Sequence, residues 1–401
     1  MQILTGHLLQ RAQKKTLNIF CLFSVALFIA SCEDEEAKKG PQLEEKSFTE
    51  LKGWTSDSQE KTLPAFKKTC AIYQRRDPKK TIGIGGTISD WIPICNKLKE
   101  IDTTDVAQVR IFFEEHFKAY QLKEGKENKA LFTGYYEPEI NGSFEQTSQF
   151  NVPVYKKPSD LVIAEDLGIF NPALKGRRVA GRVKDGRLIP HDSHAQILRG
   201  SLNNQNLELL WTDNRIDHFF AQVQGSTKVR MTDGSIIRIG YAGVNGHPYV
   251  SIGKVLVQKG AFPLKQASMQ SIRTWFEKNP DQIESVLGEN PSFVFFRMLE
   301  KSEEDGPQGS MGVALVPRRT IAVDPKYTPL GVPVWIDFDH PTQDKRSQRL
   351  VVAHDTGGAI KGVLRADMFW GSGKKATDYA GKMKSSGTMY VLLPAHIKPS
   401  F

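Results

Sequence analysis

The feature that most constrains this chain is a change of texture about a third of the way along it. From about residue 62 to 122, apolar residues recur at helical spacing. Val106, Val109, Phe112, Phe113, His116, Phe117 and Tyr120 fall three or four apart, which predicts one amphipathic helix from Val106 to Tyr120. Beyond that point short β-rich runs alternate with the turn pairs Asn141-Gly142, Asp185-Gly186, Asp233-Gly234 and Asn245-Gly246. Such pairs tolerate positive φ and close tight turns. Lys228 to Met231, Ser235 to Tyr241 and Pro248 to Ile252 are predicted strands, as are Gly312 to Val323, Val332 to Phe338, Arg349 to His354 and Thr388 to Leu393. Met269 to Asn279 reads as a helix stopped by Pro280. The expectation is a mainly β fold with N-terminal helices, and many short strands with Gly turns favour barrels over a parallel sheet. No internal repeat is visible, which excludes a solenoid or propeller.

The first 31 residues carry Arg11, Lys14 and Lys15 and no acid, followed by an apolar run from Leu17 to Ala30. That run is too short for a membrane span and reads as a signal peptide. It ends in Ile29-Ala30-Ser31-Cys32, similar to a bacterial lipobox, which predicts cleavage before Cys32 and lipid attachment to it, the alternative being a plain signal peptide or an uncleaved anchor. Several acyl chains together bind a bilayer stably. Residues 32–60, rich in Glu, Lys, Gly and Ser, read as a polar tether. The rest of the chain is expected outside the cytoplasm.

Two cysteines remain downstream, Cys70 and Cys95. In an oxidising compartment they either pair, stabilising the fold by roughly 3 kcal/mol, or stay as two buried thiols. No CxxC or His/Cys cluster suggests a metal. The 401 residues, 39% apolar and 25% charged, suffice for one large or two moderate domains. The net charge of +9 suits an anionic polymer or membrane surface, while no dense Lys/Arg helix marks a nucleic-acid binder.

Three aspartates border apolar runs near the C-terminus: Asp324 in Ile321-Ala322-Val323-Asp324-Pro325, Asp355 in His354-Asp355-Thr356-Gly357-Gly358, and Asp367 before Met368-Phe369-Trp370. An acid beside apolar groups is poorly solvated when charged, so its pKa rises. A raised pKa lets it hold a proton near neutrality and donate it to a glycosidic oxygen, a requirement Asp367 fits best. The alternative is that such an Asp merely forms a turn or cap. Asp355-Thr356-Gly357 also matches the aspartic protease tripeptide, but only one copy is present. Gly357 and Gly358 read more simply as a tight turn needing unusual φ.

Sugars present apolar faces and hydroxyl edges, so glycan grooves combine aromatic rings with Gln, Asn, Ser and Thr. Phe132-Thr133-Gly134-Tyr135-Tyr136-Glu137-Pro138, Gln222-Val223-Gln224-Gly225-Ser226 and Tyr241 to Gly246 with Tyr249 have that character.

With these segments the chain resembles the membrane-bound lytic murein transglycosylase A family. The resemblance runs from about residue 130 to 394 and rests on Thr133 to Pro138, Gln224-Gly225-Ser226, Asn290 to Phe296, Gly306 to Ser310, Asp324 to Gly331 and Asp355 to Gly373, in that order. It implies a double-psi β-barrel catalytic domain built from residues 61–141 and 291–401, with its three-aspartate (3D) part at about 310–394. It also implies a second β-barrel-like domain inserted at 142–290, with a groove between the two. Asp367 is the implied catalytic acid/base with Asp355 close by, and Asp324 is taken as structural. Implied glycan contacts are Thr133, Gly134, Tyr135, Tyr136, Gln224, Gly225 and Ser226, with Gly357, Gly358 and Lys361 beside Asp355.

The activity so implied is lytic cleavage of the β-1,4 bond between N-acetylmuramic acid and N-acetylglucosamine in peptidoglycan, leaving 1,6-anhydromuramoyl ends. No cofactor or metal is expected. The partners are glycan strands and, through Cys32, a membrane, with the periplasmic face of the outer membrane as the expected location. No motif specifies a partner synthase. Two alternatives stay open: a water-using hydrolase with an Asp355/Asp367 pair, and a glycan-binding barrel without turnover. Whether Asp355 orients Asp367 or shares its proton is also open.

Overall fold

A computed structural model of the chain describes residues 40–299 and 306–401. The expected signal peptide and Cys32 lie outside the described residues, as do residues 32–39 of the expected tether. The remainder of that stretch corrects the tether reading. Strand β1 (Pro41–Lys46) pairs antiparallel with β2 (Phe117–Glu124) over its whole length, and Leu51 and Trp54 are buried. Trp54 packs edge-on against Trp335 with ring centroids 5.1 Å apart, so these residues belong to the core.

Three helices lie between the two strands: α1 (Leu63–Tyr73), α2 (Ile88–Lys97) and α3 (Val106–His116). Pro64 sits in the first turn of α1, where its missing N–H costs nothing. Thr87 and Asp90 form a capping box on α2, and the Asp105 carboxylate accepts the Ala107 and Gln108 N–H groups at the start of α3. Phe66 sits at the centre of an aromatic cluster with Trp91, Phe112, Phe113 and Phe117. A disulfide joins Cys70 on α1 to Cys95 on α2. The single helix predicted from Val106 to Tyr120 is corrected at its end: Phe117 turns extended (φ −128°, ψ 158°), and Phe117 and Tyr120 belong to β2. Their three-residue spacing fits a helix and also a strand buried on both faces.

Strand β3 (Ala130–Glu137) follows, and the chain then builds two further sheets before returning. Their strands are β4 (Glu139–Ser143), β5 (Val152–Tyr155), β6 (Leu161–Ala164), β7 (Val179–Lys184) and β8 (Arg187–Ile189). After α4 (His194–Leu198) come β9 (Glu208–Thr212), α5 (Arg215–Gln224), β10 (Ser226–Met231) and β11 (Ile236–Val244). Helices α6 (Ile252–Gln258), α7 (Met269–Lys278) and α8 (Ile283–Gly288) precede β12 (Val294–Met298). One sheet has the order β12-β11-β10-β4-β9-β5 and the other β6-β7-β8.

One turn expectation and two strand expectations fail in this stretch and just after it. Asn141-Gly142 is no turn but lies inside β4, where a Cβ on Gly142 would come within 2.4 Å of Val229. Pro248 to Ile252 is not a strand: Pro248 has no N–H for a ladder, and the Ser251 hydroxyl caps α6 by accepting the Lys254 N–H. Of Gly312 to Val323, only the last four residues form a strand, because Gly312 and Arg318 hold positive φ.

The chain rejoins the first sheet with β13 (Thr320–Val323), β14 (Pro333–Asp339), β15 (Arg346–Asp355) and β16 (Arg365–Ser372). Helix α9 (Lys374–Lys382) and β17 (Lys384–Pro394) complete it. Its order is β1-β2-β17-β14-β15-β13-β16-β3, and an extra β17–β3 pairing closes the last six strands into a barrel. Most pairs are antiparallel, but β13 with β15 and β16 with β3 run parallel. The barrel is filled by Val323, Val334, Ile336, Val351, Met368 and Met389, continuous with the aromatic cluster of the helices. Among the described residues no helix is long and apolar enough to cross a membrane.

Candidate active site

The two parallel pairings bring the conspicuous acids together. On β13, Ala322 is the register partner of Asp367 on one side and of Asp355 on the other. Cross-strand partners share a face of the sheet. Both carboxylates therefore start from the same barrel surface, two strand spacings or roughly 9.5 Å apart at the backbone, with only the Ala322 methyl between them. A register shift next to Ala322, where β15 carries an additional residue, re-aims the end of that strand.

Asp367 is half-buried and has one hydrogen-bond donor. It lies opposite Thr133 in the parallel β16–β3 ladder, and the Thr133 hydroxyl donates to its Oδ1 at 2.6 Å. Arg365 Nη2 donates to that same hydroxyl oxygen at 2.8 Å. A hydroxyl has one proton, so Arg365 occupying a lone pair commits the Thr133 proton to Asp367. Burial pushes the Asp367 carboxyl up to about 6, against the opposing pull of the Thr133 hydrogen bond and the Arg365 charge, with the Asp355 charge adding to the rise.

Asp355 is surrounded by donors. Its Oδ1 accepts from the Ser310 N–H at 2.9 Å, the Ser310 hydroxyl at 2.8 Å and the Thr356 N–H at 2.9 Å. Its Oδ2 accepts from the Tyr135 hydroxyl at 3.0 Å. Burial raises this carboxyl as well, but these four donors oppose the rise by stabilising the anion. The Tyr135 phenol is itself pushed well above its usual value by burial and by the two carboxylates, so it remains a donor. Its ring lies 5.2 Å from that of Phe369.

The remaining sequence-singled residues divide into those the fold gathers here and those it uses for framework. Gly134 faces Trp370 and α9, where a Cβ would meet Trp370 Nε1 at 2.7 Å and the Ala380 backbone at 2.9 Å. Gln224 Oε1 accepts the Tyr136 N–H at 3.0 Å and ties the end of α5 to β3. Gly225 ends α5 with φ +77°, and Ser226 starts β10. The Gly134-Tyr135-Tyr136 and Gln224-Gly225-Ser226 segments are thus physically joined. Asp324 accepts the Gly362 N–H at 2.9 Å and the Lys326 N–H at 3.2 Å, pinning the loop after Asp355. Lys361 is exposed on that loop. Neither Gly357 nor Gly358 holds positive φ, contrary to the expectation; Gly362 does, at +104°, and Gly357 is needed because a Cβ would press Ile360 at 2.6 Å.

Ser310 is the site residue for which residue-by-residue reasoning found no role. It reaches Asp355 across 45 positions of chain, and only its place in the Gly306-Pro307-Gln308-Gly309-Ser310 motif hinted at one. A cavity of about 590 Å³ lies elsewhere, lined by Tyr155, His194, Asn203 and Trp211 among others, and shares no residue with this site. Among the described residues no group of three or more His, Cys, Asp or Glu is placed to hold a metal ion.

Comparison with known proteins places this geometry in a family. Residues 131–297 match the model described as the MltA specific insert domain, and residues 319–393 match the 3D domain. The chain is 32% identical over 313 residues to the membrane-bound lytic murein transglycosylase A of Vibrio cholerae, covering 76% of this chain and 74% of that one. It superimposes on the MltA crystal structure from Neisseria gonorrhoeae with a TM-score of 0.76 and 32% identity, over 91% of this chain and 96% of that one. Escherichia coli MltA solved with bound chitohexaose gives a TM-score of 0.63 at 28% identity, over 83% of this chain and 90% of that one.

Proposed function

The chain belongs to the membrane-bound lytic murein transglycosylase A family, and from that premise we propose that it cleaves the glycan strands of peptidoglycan with Asp367 as sole acid and base. The observation that carries this reading is the unequal solvation of the two carboxyls. Asp367, with one donor and its pKa raised to about 6, is the group suited to hold a proton. Asp355, held by four donors, is suited to stay ionised and to keep that proton on Asp367.

In the proposed reaction Asp367 gives its proton to the oxygen linking N-acetylmuramic acid to N-acetylglucosamine. Positive charge develops at C1 of the muramoyl unit, and the Asp355 anion lies near enough to stabilise it. The ionised Asp367 then takes the proton of that sugar's own C6 hydroxyl as its oxygen bonds to C1. The products are a 1,6-anhydromuramoyl end and a free N-acetylglucosamine 4-hydroxyl, with no water consumed. The internal nucleophile gains from proximity, and one carboxyl serves both steps. A hydrolase would need a second carboxylate free to activate water; three donors already crowd Asp355 Oδ1.

The relative that carries chitohexaose supports a β-1,4 glycan in the same groove here, with Thr133 to Tyr136, Gln224 to Ser226 and the Gly357 to Lys361 loop as its contacts. We read the closed six-stranded barrel, with its two parallel pairs, as a double-psi barrel. On this reading it is interrupted by an inserted domain at about residues 142–290 and tethered by lipid on Cys32 to the periplasmic face of the outer membrane. Asp367→Asn tests the assignment: cleavage of purified sacculi should fall by about 10²–10⁴-fold, while chitohexaose binding, followed by calorimetry, persists. Retained cleavage would remove Asp367 from the mechanism.

A further inference from the structure

The three-stranded sheet β6-β7-β8 is unlike the rest of the molecule. One face packs inward: Leu161 is buried, and Gly246 sits so close to Ala180 that a Cβ would reach its carbonyl at 2.2 Å. The other face is apolar and open. Val183 and Leu188 are cross-strand partners there, 56% and 49% exposed, with Val162 and Val179 also exposed in the same sheet. The β6–β7 connection adds to it. Its base is closed by the Leu167 N–H to Arg177 carbonyl bond, by the Arg178–Glu165 ion pair at 3.0 Å, and by the Asp166 carboxylate accepting the Gly168 and Gly176 N–H groups. This ordered loop holds Ile169 and Phe170 at 79% and 74% exposure. Adjacent large apolar side chains presented by a pinned loop mark a contact surface.

The charge around it indicates what the contact is. Residues 165–188 contain six cations and three acids. Arg178 and Arg182 are spent on Glu165 and Asp192, and Glu165 and Asp166 are spent inside the loop. Lys175, Arg177, Lys184 and Arg187 are left without an ion-pair partner among the described residues, against one unpaired acid, Asp185 in the β7–β8 turn. We propose that this loop and sheet face form a membrane-contacting surface that takes an anionic phospholipid bilayer, Ile169 and Phe170 entering the interface while Lys175 and Arg177 of the same loop meet the headgroups and Lys184 and Arg187 at the β7–β8 hairpin end add to the positive charge. Exposed aromatic and aliphatic tips ringed by Lys and Arg have the chemistry of peripheral membrane attachment, in which apolar burial and headgroup attraction add. The contact is separate from the proposed lipid anchor and does not depend on it; it would fix how the enzyme is oriented on the surface as well as where it is held.

Hydrogen–deuterium exchange on the full chain tests this, with phosphatidylcholine vesicles made with and without phosphatidylglycerol. The N-terminal segment is the same in the wild type and the variant, so the readout is the protection local to residues 167–188 compared between them on the same vesicles. The expected result is exchange slowed about tenfold or more on phosphatidylglycerol vesicles only, and lost in the Ile169→Glu/Phe170→Glu chain. Exchange protection in β14 of that variant, unchanged, certifies its fold. The proposal is overturned by protection that ignores lipid charge or survives the double substitution. It is equally overturned by protection that appears without vesicles and grows with protein concentration, which would assign the face to a second copy. Protection by chitohexaose alone would assign it to glycan.

Discussion

The Thr133 hydroxyl donates to Asp367 Oδ1 at 2.6 Å across a parallel pair of barrel strands. This bond favours the ionised carboxylate and so opposes the burial that raises its pKa. Removing it as Thr133→Val should move Asp367 further up, by about one pH unit. Activity that needs the protonated acid falls as pH rises through about 6 in the wild type; in the variant that limb should shift to higher pH. A pH profile of kcat/KM checks it. A downward shift would mean that Arg365 swings onto the carboxylate instead.

The same burial has a cost in stability. Between the unfolded value of 3.8 and the folded value of about 6, the folded chain binds more protons at Asp367 than the unfolded chain does. Stability therefore declines as pH rises through that window and stays reduced above it. Asp367→Asn removes the charge. It should raise stability by about 1–2 kcal/mol at pH 7.5, discounted for the partial exposure of the side chain, and by little at pH 4. Urea unfolding at the two pH values measures the difference; an equal effect at both would contradict the assigned cause.

Ser310 gives Asp355 two of its four donors. Ser310→Ala keeps the backbone donor and deletes the hydroxyl, so the anion is less well held. Cleavage should drop about tenfold with thermal stability nearly unchanged. An unaltered rate would show that Asp355 needs no such support.

The disulfide between Cys70 and Cys95 closes a 25-residue separation across α1 and α2. Cys95→Ser should lower unfolding stability by roughly 3 kcal/mol and leave the site chemistry intact. Denaturant midpoints with and without a reductant report it: the wild type should lose stability on reduction and the variant should not.

Local chemistry was legible where it is decided locally. Asp185-Gly186 and Asp233-Gly234 close the β7–β8 and β10–β11 hairpins as their φ preferences demand, and the Met269 helix stops before Pro280. Asp367 stood out because Met368, Phe369 and Trp370 follow it. What the text of the chain hid depends on distant partners. Phe117 and Tyr120 fit a helical stripe until β1 and β17 offered ladders on both sides. Asn141-Gly142 resembled a turn because nothing nearby reveals that Val229 leaves no room for a side chain there. Ala322, which separates the two acids, carries no chemical signal at all; its role is only its register.

The central claim is that one carboxyl, Asp367, drives an internal displacement without water. Digesting purified sacculi with the enzyme in H₂¹⁸O and weighing the released muropeptides tests it most directly. The expected products are anhydro-muropeptides one water lighter than the reducing forms and free of ¹⁸O. Reducing ends carrying ¹⁸O would contradict it and make Asp355 and Asp367 the pair of a hydrolase.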